Sequence, residues 1–284
     1  RICLSVIVNL LSEVNLVKKN LFVGLLSLFL MLPVLAHDLF LKPDRFSVKV
    51  NENVLISVMN GTFQKSEAAV AFGRLTDVSV IAPSGGRTNP KEADFTKNET
   101  TAFLNFKPSE TGNYVVGLST GWRENALAAK EFNEYLTLEG IPDVLENRKR
   151  DKELEKDARY RYSKYVKTIL QIGDKQTDSY KTALGYAVEM IPQQNPYRLK
   201  KGATIEILCL KDGKPLIGQT VLTGRELDGK LAAEKALRSD NKGIIKIKLD
   251  GVGKWYAKFI NMVKINDLNL NYESKWATLT FEIK

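Results

Sequence analysis

The stretch Leu184–Val221, LGYAVEMIPQQNPYRLKKGATIEILCLKDGKPLIGQTV, decides the fold. Ile205, Ile207 and Cys209 recur at every second position, the period of a strand with one buried face. Asp212-Gly213-Lys214-Pro215 then supplies a tight turn before the next apolar run, Leu216–Leu222, which predicts a β-hairpin. Pro192 and Pro196 fix φ and hold the residues before them extended, so Glu189–Tyr197 reads as a crossover feeding a sandwich domain.

Toward the C-terminus the same chemistry continues. Ile245, Ile247 and Leu249 alternate with Lys246, Lys248 and Asp250 as a half-buried strand, and Trp255–Val263 and Trp276–Ile283 are further strands. Tyr160–Ile172 fits both a helical stripe and an alternation; its β-branched content and the Gly173-Asp174 ending favour a strand. Toward the N-terminus, Leu39–Leu41, Phe46–Val50, Val54–Met59, Val78–Ile81, Ala102–Phe106 and Tyr114–Leu118 are short strands separated by turn residues, the spacing of a sandwich. Lys107–Tyr114 resembles the corner of Ig-like domains in which an aromatic hydroxyl bonds back to nearby backbone; a plain core role for Tyr114 is the alternative.

Composition changes after Trp122. Glu124–Glu139 carries Leu127, Phe132, Tyr135, Leu136 and Leu138 and predicts an amphipathic helix stopped by Gly140 and Pro142. A second helix over Asp143–Lys149 takes Asp143 as its cap, and Lys149–Arg161 is a charged linker. The expected fold is mainly β: an N-terminal β-sandwich over 37–121, a short α-helical insert over 122–159 and a C-terminal β-sandwich over 160–284.

Residues 1–36 read differently. Lys18-Lys19, the apolar run Leu21–Leu35 and the ending Val34-Leu35-Ala36 make a signal peptide cleaved after Ala36, while Arg1–Leu16 read as sequence upstream of the true start. A membrane anchor is the alternative, although ~18–20 apolar residues are needed to span a bilayer. The expected location is therefore periplasmic or secreted, with a mature form that does not span the membrane. The residue after Ala36 is histidine rather than cysteine, which argues against a lipid-anchored lipoprotein.

Removing residues 1–36 takes away Arg1, Lys18, Lys19 and Glu13, so the formal charge of +9 becomes +7. The positive charge is scattered and no nucleic-acid reader motif accompanies it, so no nucleic-acid partner is expected. Cys209 is the one cysteine after residue 36 and reads as a small buried hydrophobe, leaving stability to hydrophobic cores.

Catalytic signatures are scarce. The chain has neither G-x-S-x-G nor H-E-x-x-H, and His37 is its single histidine, so a catalytic triad has little to work with and the protein is expected not to be an enzyme. Cleavage after Ala36 would make His37 the first residue, offering a divalent metal its α-amine and imidazole together; Asp38 is a neighbouring carboxylate ligand. An ordinary residue at a cleavage boundary is the plainer reading. Trp122, Tyr197 and Trp276 are candidates for a ligand-binding aromatic surface, with core packing as the alternative.

Several stretches carry a family likeness: HDLFLKP at 37–43, YSKYVK at 162–167 running into Gln171-Ile172-Gly173, LGYAVEMIP at 184–192 with Asn195-Pro196-Tyr197, Gly213–Leu216, Gly253-Lys254-Trp255, and WATLTFE at 276–282. In this order they resemble a bacterial family of exported proteins, domain of unknown function 4198, some of whose members are linked to nickel or cobalt uptake. The resemblance implies two Ig-like or transthyretin-like β-domains and a non-enzymatic accessory role in nickel or cobalt transport, with an envelope transporter or other envelope protein as partner. Asn261 stands where relatives commonly carry histidine, which leaves His37, Asp38 and Met262 as the metal ligands implied here. The alternative function is a structural or interaction module recognising a glycan, peptide or envelope partner.

Overall fold

The computed structural model describes residues 37–284; the predicted leader and upstream extension lie outside the described residues. The first part of the chain forms β1 (Asp38–Pro43), β2 (Ser47–Val48), β3 (Val54–Gly61), β4 (Leu75–Ile81), β5 (Arg87–Thr88), β6 (Phe95–Lys97), β7 (Ala102–Phe106), β8 (Gly112–Thr120) and β9 (Arg123–Leu127). Helices α1 (Ala129–Leu138) and α2 (Pro142–Arg150) follow. The rest forms β10 (Ala158–Ile172), β11 (Val188–Pro192), β12 (Thr204–Lys211), β13 (Lys214–Pro215), β14 (Thr220–Leu227), β15 (Lys230–Leu231), β16 (Lys235–Arg238), β17 (Ile244–Lys248), β18 (Gly253–Lys264) and β19 (Tyr272–Ile283). The protein is mainly β, as its alternating pattern requires.

One long sheet, ordered β15-β14-β18-β19-β10-β8-β4-β5 along its main path, runs through both halves. Its pivot is β10, which pairs in parallel with β19 over Tyr160–Thr168 and antiparallel with β8 over Ile169–Ile172. Two smaller sheets cover it, one ordered β1-β3-β7-β6 and one built from β11, β12, β13 and β17. The pleat of β10 separates the two interiors. Val166, Leu170 and Ile172 join Leu39, Ile56, Leu104 and Val116 in the first core, while Ile169 joins Met190, Ile207, Trp255 and Phe281 in the second. Two β-sandwiches thus share one sheet, each burying large aliphatic and aromatic side chains worth about 1.5–3 kcal/mol apiece.

The decisive stretch folds as its alternation demands, with one correction. Ile205, Ile207 and Cys209 are fully buried, and Asp212 and Gly213, at φ of 50° and 73°, make the predicted turn. The returning strand β13 is only two residues long, however. The chain then leaves this sheet and becomes β14 of the long one, so β12 takes β11 and β17 as its main partners. Tyr160–Ile172 is a strand, and the Ig-like corner is present, with the Tyr114 hydroxyl accepting from the Glu110 N–H at 3.0 Å.

The insert begins later than expected. Arg123–Leu127 is strand β9, paired with Ala158–Tyr162 of β10, because its backbone completes a sheet edge that helix formation would leave open. Asp143 is not a cap: Pro142 opens α2, and the Asp143 carboxylate reaches Arg238 at 3.0 Å. Phe132, Tyr135 and Leu136 of α1 pack with Tyr160, Met262, Tyr272 and Trp276 on the long sheet. Arg148, 2% exposed, fastens the helices by donating to Asn133 Oδ1 at 2.9 Å and to the Lys156 carbonyl at 2.6 Å.

Candidate functional site

The start of β1 is where charge collects. Threonines of β19 hold this strand against the long sheet: Thr278 Oγ1 donates to the Leu39 carbonyl at 2.9 Å and Thr280 Oγ1 to the Leu41 carbonyl at 2.6 Å. Lys164 Nζ of β10 continues the row by donating to the His37 carbonyl. Alternate carbonyls of β1 are therefore satisfied by side chains of the sheet beneath, which fixes His37 and Asp38 in position.

His37 and Asp38 then point to different neighbours. The His37 imidazole contacts the Glu67 carboxylate through Nε2, both side chains being partly exposed. Asp38 is buried and pairs through Oδ2 with Lys258 of β18 at 2.6 Å. The same ammonium lies 3.8 Å from Glu139, just past α1, and 3.6 Å from Glu234, which accepts from the Tyr256 hydroxyl at 2.8 Å. One ammonium thus serves three carboxylates. Asp38 Oδ1, Glu139 Oε2 and the Tyr135 hydroxyl are buried without a hydrogen-bond partner among the described residues.

Titration follows from that shortage of donors. Burial, with Asp38 nearby, pushes the Glu139 carboxyl up to about 7. Burial also raises Asp38, against the pull of Lys258. Lys258 itself is pulled down by burial but pushed up further by Asp38, Glu139 and Glu234, and the net direction is upward. Lys164 is lowered to about 8, chiefly by burial and then by Arg74 and Arg123, against the opposing pull of Asp38 and Glu139. With its carboxyl raised to about 7, Glu139 changes protonation near neutral pH.

Of the metal ligands predicted from sequence and resemblance, His37 and Asp38 adjoin this cluster, whereas Met262 is buried in the core beneath the helices. Among the described residues no three His, Cys, Asp or Glu side chains stand together at metal-binding spacing. The aromatic candidates separate too. Trp122 is 44% exposed, with Arg161 5.0 Å from its ring; Trp276 is 3% exposed and is a core residue, not part of a surface. Tyr197 is half-buried and donates to the Ile169 carbonyl at 2.6 Å. An open groove of about 450 Å³ runs along α1 between Lys130, Asn133 and Leu145, and none of its lining residues belongs to the charge cluster.

Glu67, Glu139, Lys164, Glu234 and Lys258 were not singled out by sequence reasoning. The usable signal was a lysine inside a run of large apolar residues, as in Tyr162-Ser163-Lys164-Tyr165 and Tyr256-Ala257-Lys258-Phe259. Alternation alone assigns such lysines to the solvent side of a strand.

By architecture the protein is a pair of β-sandwiches built on one continuous sheet, with a buried charge cluster where the first strand is pinned down. The chain belongs to the family described as Domain of unknown function (DUF4198), whose profile matches residues 34–262. No curated protein matches it. Among solved structures it is similar to the D0-D1 domain of intimin at 15% identity and a TM-score of 0.22, covering 86% of this chain and 97% of that one. It is also similar to Salmonella alpha-2-macroglobulin at 11% identity and a TM-score of 0.26, covering 86% of this chain but only 15% of that one. E. coli alpha-2-macroglobulin gives 11% identity and a TM-score of 0.25, with coverage of 88% and 14%. No helix among the described residues is long and apolar enough to cross a membrane.

Proposed function

We propose that this protein is an exported, non-enzymatic binding or accessory protein that takes a divalent transition metal, nickel or cobalt, at a mature N-terminus beginning with His37, and passes it to an envelope transporter or another envelope protein. The observation that carries this reading is the placement of His37. Its imidazole contacts the Glu67 carboxylate through Nε2, and Nδ1 makes no hydrogen bond among the described residues. A carboxylate on one ring nitrogen fixes the ring and raises the basicity of the other, the arrangement that surrounds metal-bound histidines. With cleavage after Ala36 the α-amine joins Nδ1 as a chelating pair, and two nitrogen donors suit nickel, cobalt, copper or zinc. Asp38 is engaged by Lys258 and Met262 lies in the core, so the residues that would hold the ion are His37 and, through the ring, Glu67.

The test is calorimetric titration of protein beginning at His37 with Ni²⁺, Co²⁺, Cu²⁺ and Zn²⁺. Binding at micromolar concentration or tighter is expected. It should be lost in His37→Ala and weakened roughly 10–100-fold in Glu67→Gln. A single residue added before His37, which removes the free α-amine from the chelate, should weaken binding as well. Millimolar binding that His37→Ala leaves unchanged would remove the metal reading.

A further inference from the structure

The chain between β14 and β16 is lightly attached where it crosses the start of β1. Residues 227–236 are all exposed, and β15 meets β14 through Glu226 with Leu231 and Leu227 with Lys230 alone. Asp228 and Gly229, at φ of 49° and 72°, make the tight turn of this hairpin. Side chains from outside the hairpin hold it down: Gln64 donates to the Gly229 carbonyl, and the Tyr256 hydroxyl donates to Glu234 at 2.8 Å. The Tyr256 ring packs in turn on Phe40 and Phe63, at centroid distances of 5.2 and 4.8 Å.

Of the three carboxylates that face Lys258, Glu234 is the most exposed, at 35% against 11% for Asp38 and 10% for Glu139. The other two are fixed by their elements. Strand β1 pairs with β3 over six residues and is pinned by Thr278 and Thr280, and α1 buries Phe132, Tyr135 and Leu136. Three like charges around one ammonium repel each other, and the one that yields is the one that reaches water with the least disruption. That one is Glu234. A proton on Glu139 removes one of the three charges and adds a donor to a cluster whose Asp38 Oδ1 and Tyr135 hydroxyl have no hydrogen-bond partner among the described residues.

We infer that segment 228–234 is a lid over the start of β1, closed while the cluster around Lys258 holds a proton and released when that proton passes to solvent. Release breaks the Tyr256–Glu234 and Gln64–Gly229 contacts and opens the way to the loop that carries Phe63 and Glu67. The groups acting on Glu139 are Asp38 of β1, Tyr135 of α1, Tyr160 and Lys164 of β10, Lys258 of β18 and Glu234 of the lid itself. Burial raises Glu139 to about 7 in the closed state, so protonation favours closure below that pH and the preference is lost as pH rises through it. Lys164, lowered to about 8, works in the same direction, because losing its charge leaves the carboxylates with less countercharge. The lid is independent of the metal reading.

Spin labels on Lys97→Cys of β6 and Lys230→Cys of the lid, in protein beginning at His37, report lid position as a distance read by double electron–electron resonance. Cys209 is fully buried and is not labelled. Raising the pH from about 5.5 to about 8 should shift the distribution from a shorter to a longer distance, the open-to-closed ratio rising at least about ten-fold. Glu139→Gln imitates the protonated cluster and should keep the lid closed across that range. Glu234→Gln keeps an acceptor for Tyr256 without the charge and should do the same, so it carries the test if Glu139→Gln does not fold. Glu234→Ala, with neither, should leave the lid open at both pH values. A control pair within the first sandwich, Lys49→Cys with Lys97→Cys, should not move, which separates lid opening from unfolding. A lid distance unchanged between about pH 5.5 and about pH 8 overturns the inference. So does one that moves only together with the control pair, or one that moves just as far in Glu139→Gln and Glu234→Gln.

Discussion

Two of the buried charge groups among the described residues are built on opposite terms. Lys167 of β10 and Glu189 of β11 face each other at 3.0 Å, their side chains 1% and 2% exposed. Every polar atom there is answered: Lys167 also donates to the Thr182 carbonyl at 3.1 Å, and Glu189 accepts from the Leu184 and Gly185 N–H groups at 3.0 and 3.1 Å. The cluster at the start of β1 shares Lys258 among Asp38, Glu139 and Glu234, and leaves three polar atoms without a hydrogen-bond partner among the described residues. The first is a closed structural pair that locks the loop ahead of β11 onto the shared strand. The second has spare capacity for a proton or a ligand, which is what a working site needs and a structural one avoids.

Breaking the closed pair should have the largest effect. Burial pushes Lys167 below its ordinary value while Glu189 pulls it back, so the ammonium depends on its partner. Glu189→Ala leaves it alone in a low-dielectric interior and is expected to cost about 3–5 kcal/mol in urea unfolding. Replacing both charges, Lys167→Met with Glu189→Leu, should recover most of that loss, because an apolar pair needs no desolvation. If the single substitution costs less than about 1 kcal/mol, water reaches this site and the contrast between the two clusters collapses.

The open cluster should answer to pH, with Glu139 as the residue to change. Around it stand Asp38 from β1, Lys164 from β10, Lys258 from β18, Glu234 from the loop before β16 and Tyr135 from α1. A carboxyl with a raised folded pKa imposes no penalty below its unfolded value near 4.5, a growing one as pH rises toward 7, and the full one above that. The wild type should therefore lose stability between about pH 4.5 and 7. Glu139→Gln imitates the protonated form and should stabilise the protein by roughly 1–3 kcal/mol at pH 8 with little change at pH 4.5. The raised Asp38 acts in the same direction, so the substitution flattens the pH dependence without abolishing it. Parallel curves for wild type and variant would mean that Glu139 does not hold the proton.

The contrast also explains what the sequence could and could not tell. Alternation located β3, β7 and β17, because each has one face in a core and one less buried, while apolar runs between turn residues located β8, β18 and β19, which are buried over much of both faces. It was blind to the parallel pairing of β10 with β19, whose residues are 112 positions apart in sequence, and so to the sharing of a single sheet by both sandwiches. The same blindness hid the charges. Lys164, Lys167 and Lys258 occupy ordinary strand positions, and only the helices and β1 laid over that face, or the β11 sheet laid over the other, turn solvent-facing lysines into buried ones. His37 and Asp38 drew attention in the sequence because they follow the apolar run Leu21–Leu35 at the start of the first strand; Glu139 did not, because its neighbours Asp38, Lys164, Lys258 and Glu234 come from four distant elements.

The smallest and sharpest comparison lies between two tyrosines. The Tyr197 hydroxyl donates to the Ile169 carbonyl at 2.6 Å, whereas the Tyr135 hydroxyl is buried with no partner among the described residues, and burial raises its pKa well above the ordinary value. Removing a hydrogen-bonded hydroxyl forfeits the bond and strands its acceptor; removing an orphaned one sheds a desolvation cost. Tyr197→Phe is therefore expected to destabilise by about 1 kcal/mol, and Tyr135→Phe to be neutral or stabilising by up to about 1 kcal/mol. Urea unfolding of the two variants side by side reads the difference. Should Tyr135→Phe cost as much as Tyr197→Phe, the hydroxyl has a bound water or ion for a partner, and the spare capacity at the start of β1 is already filled.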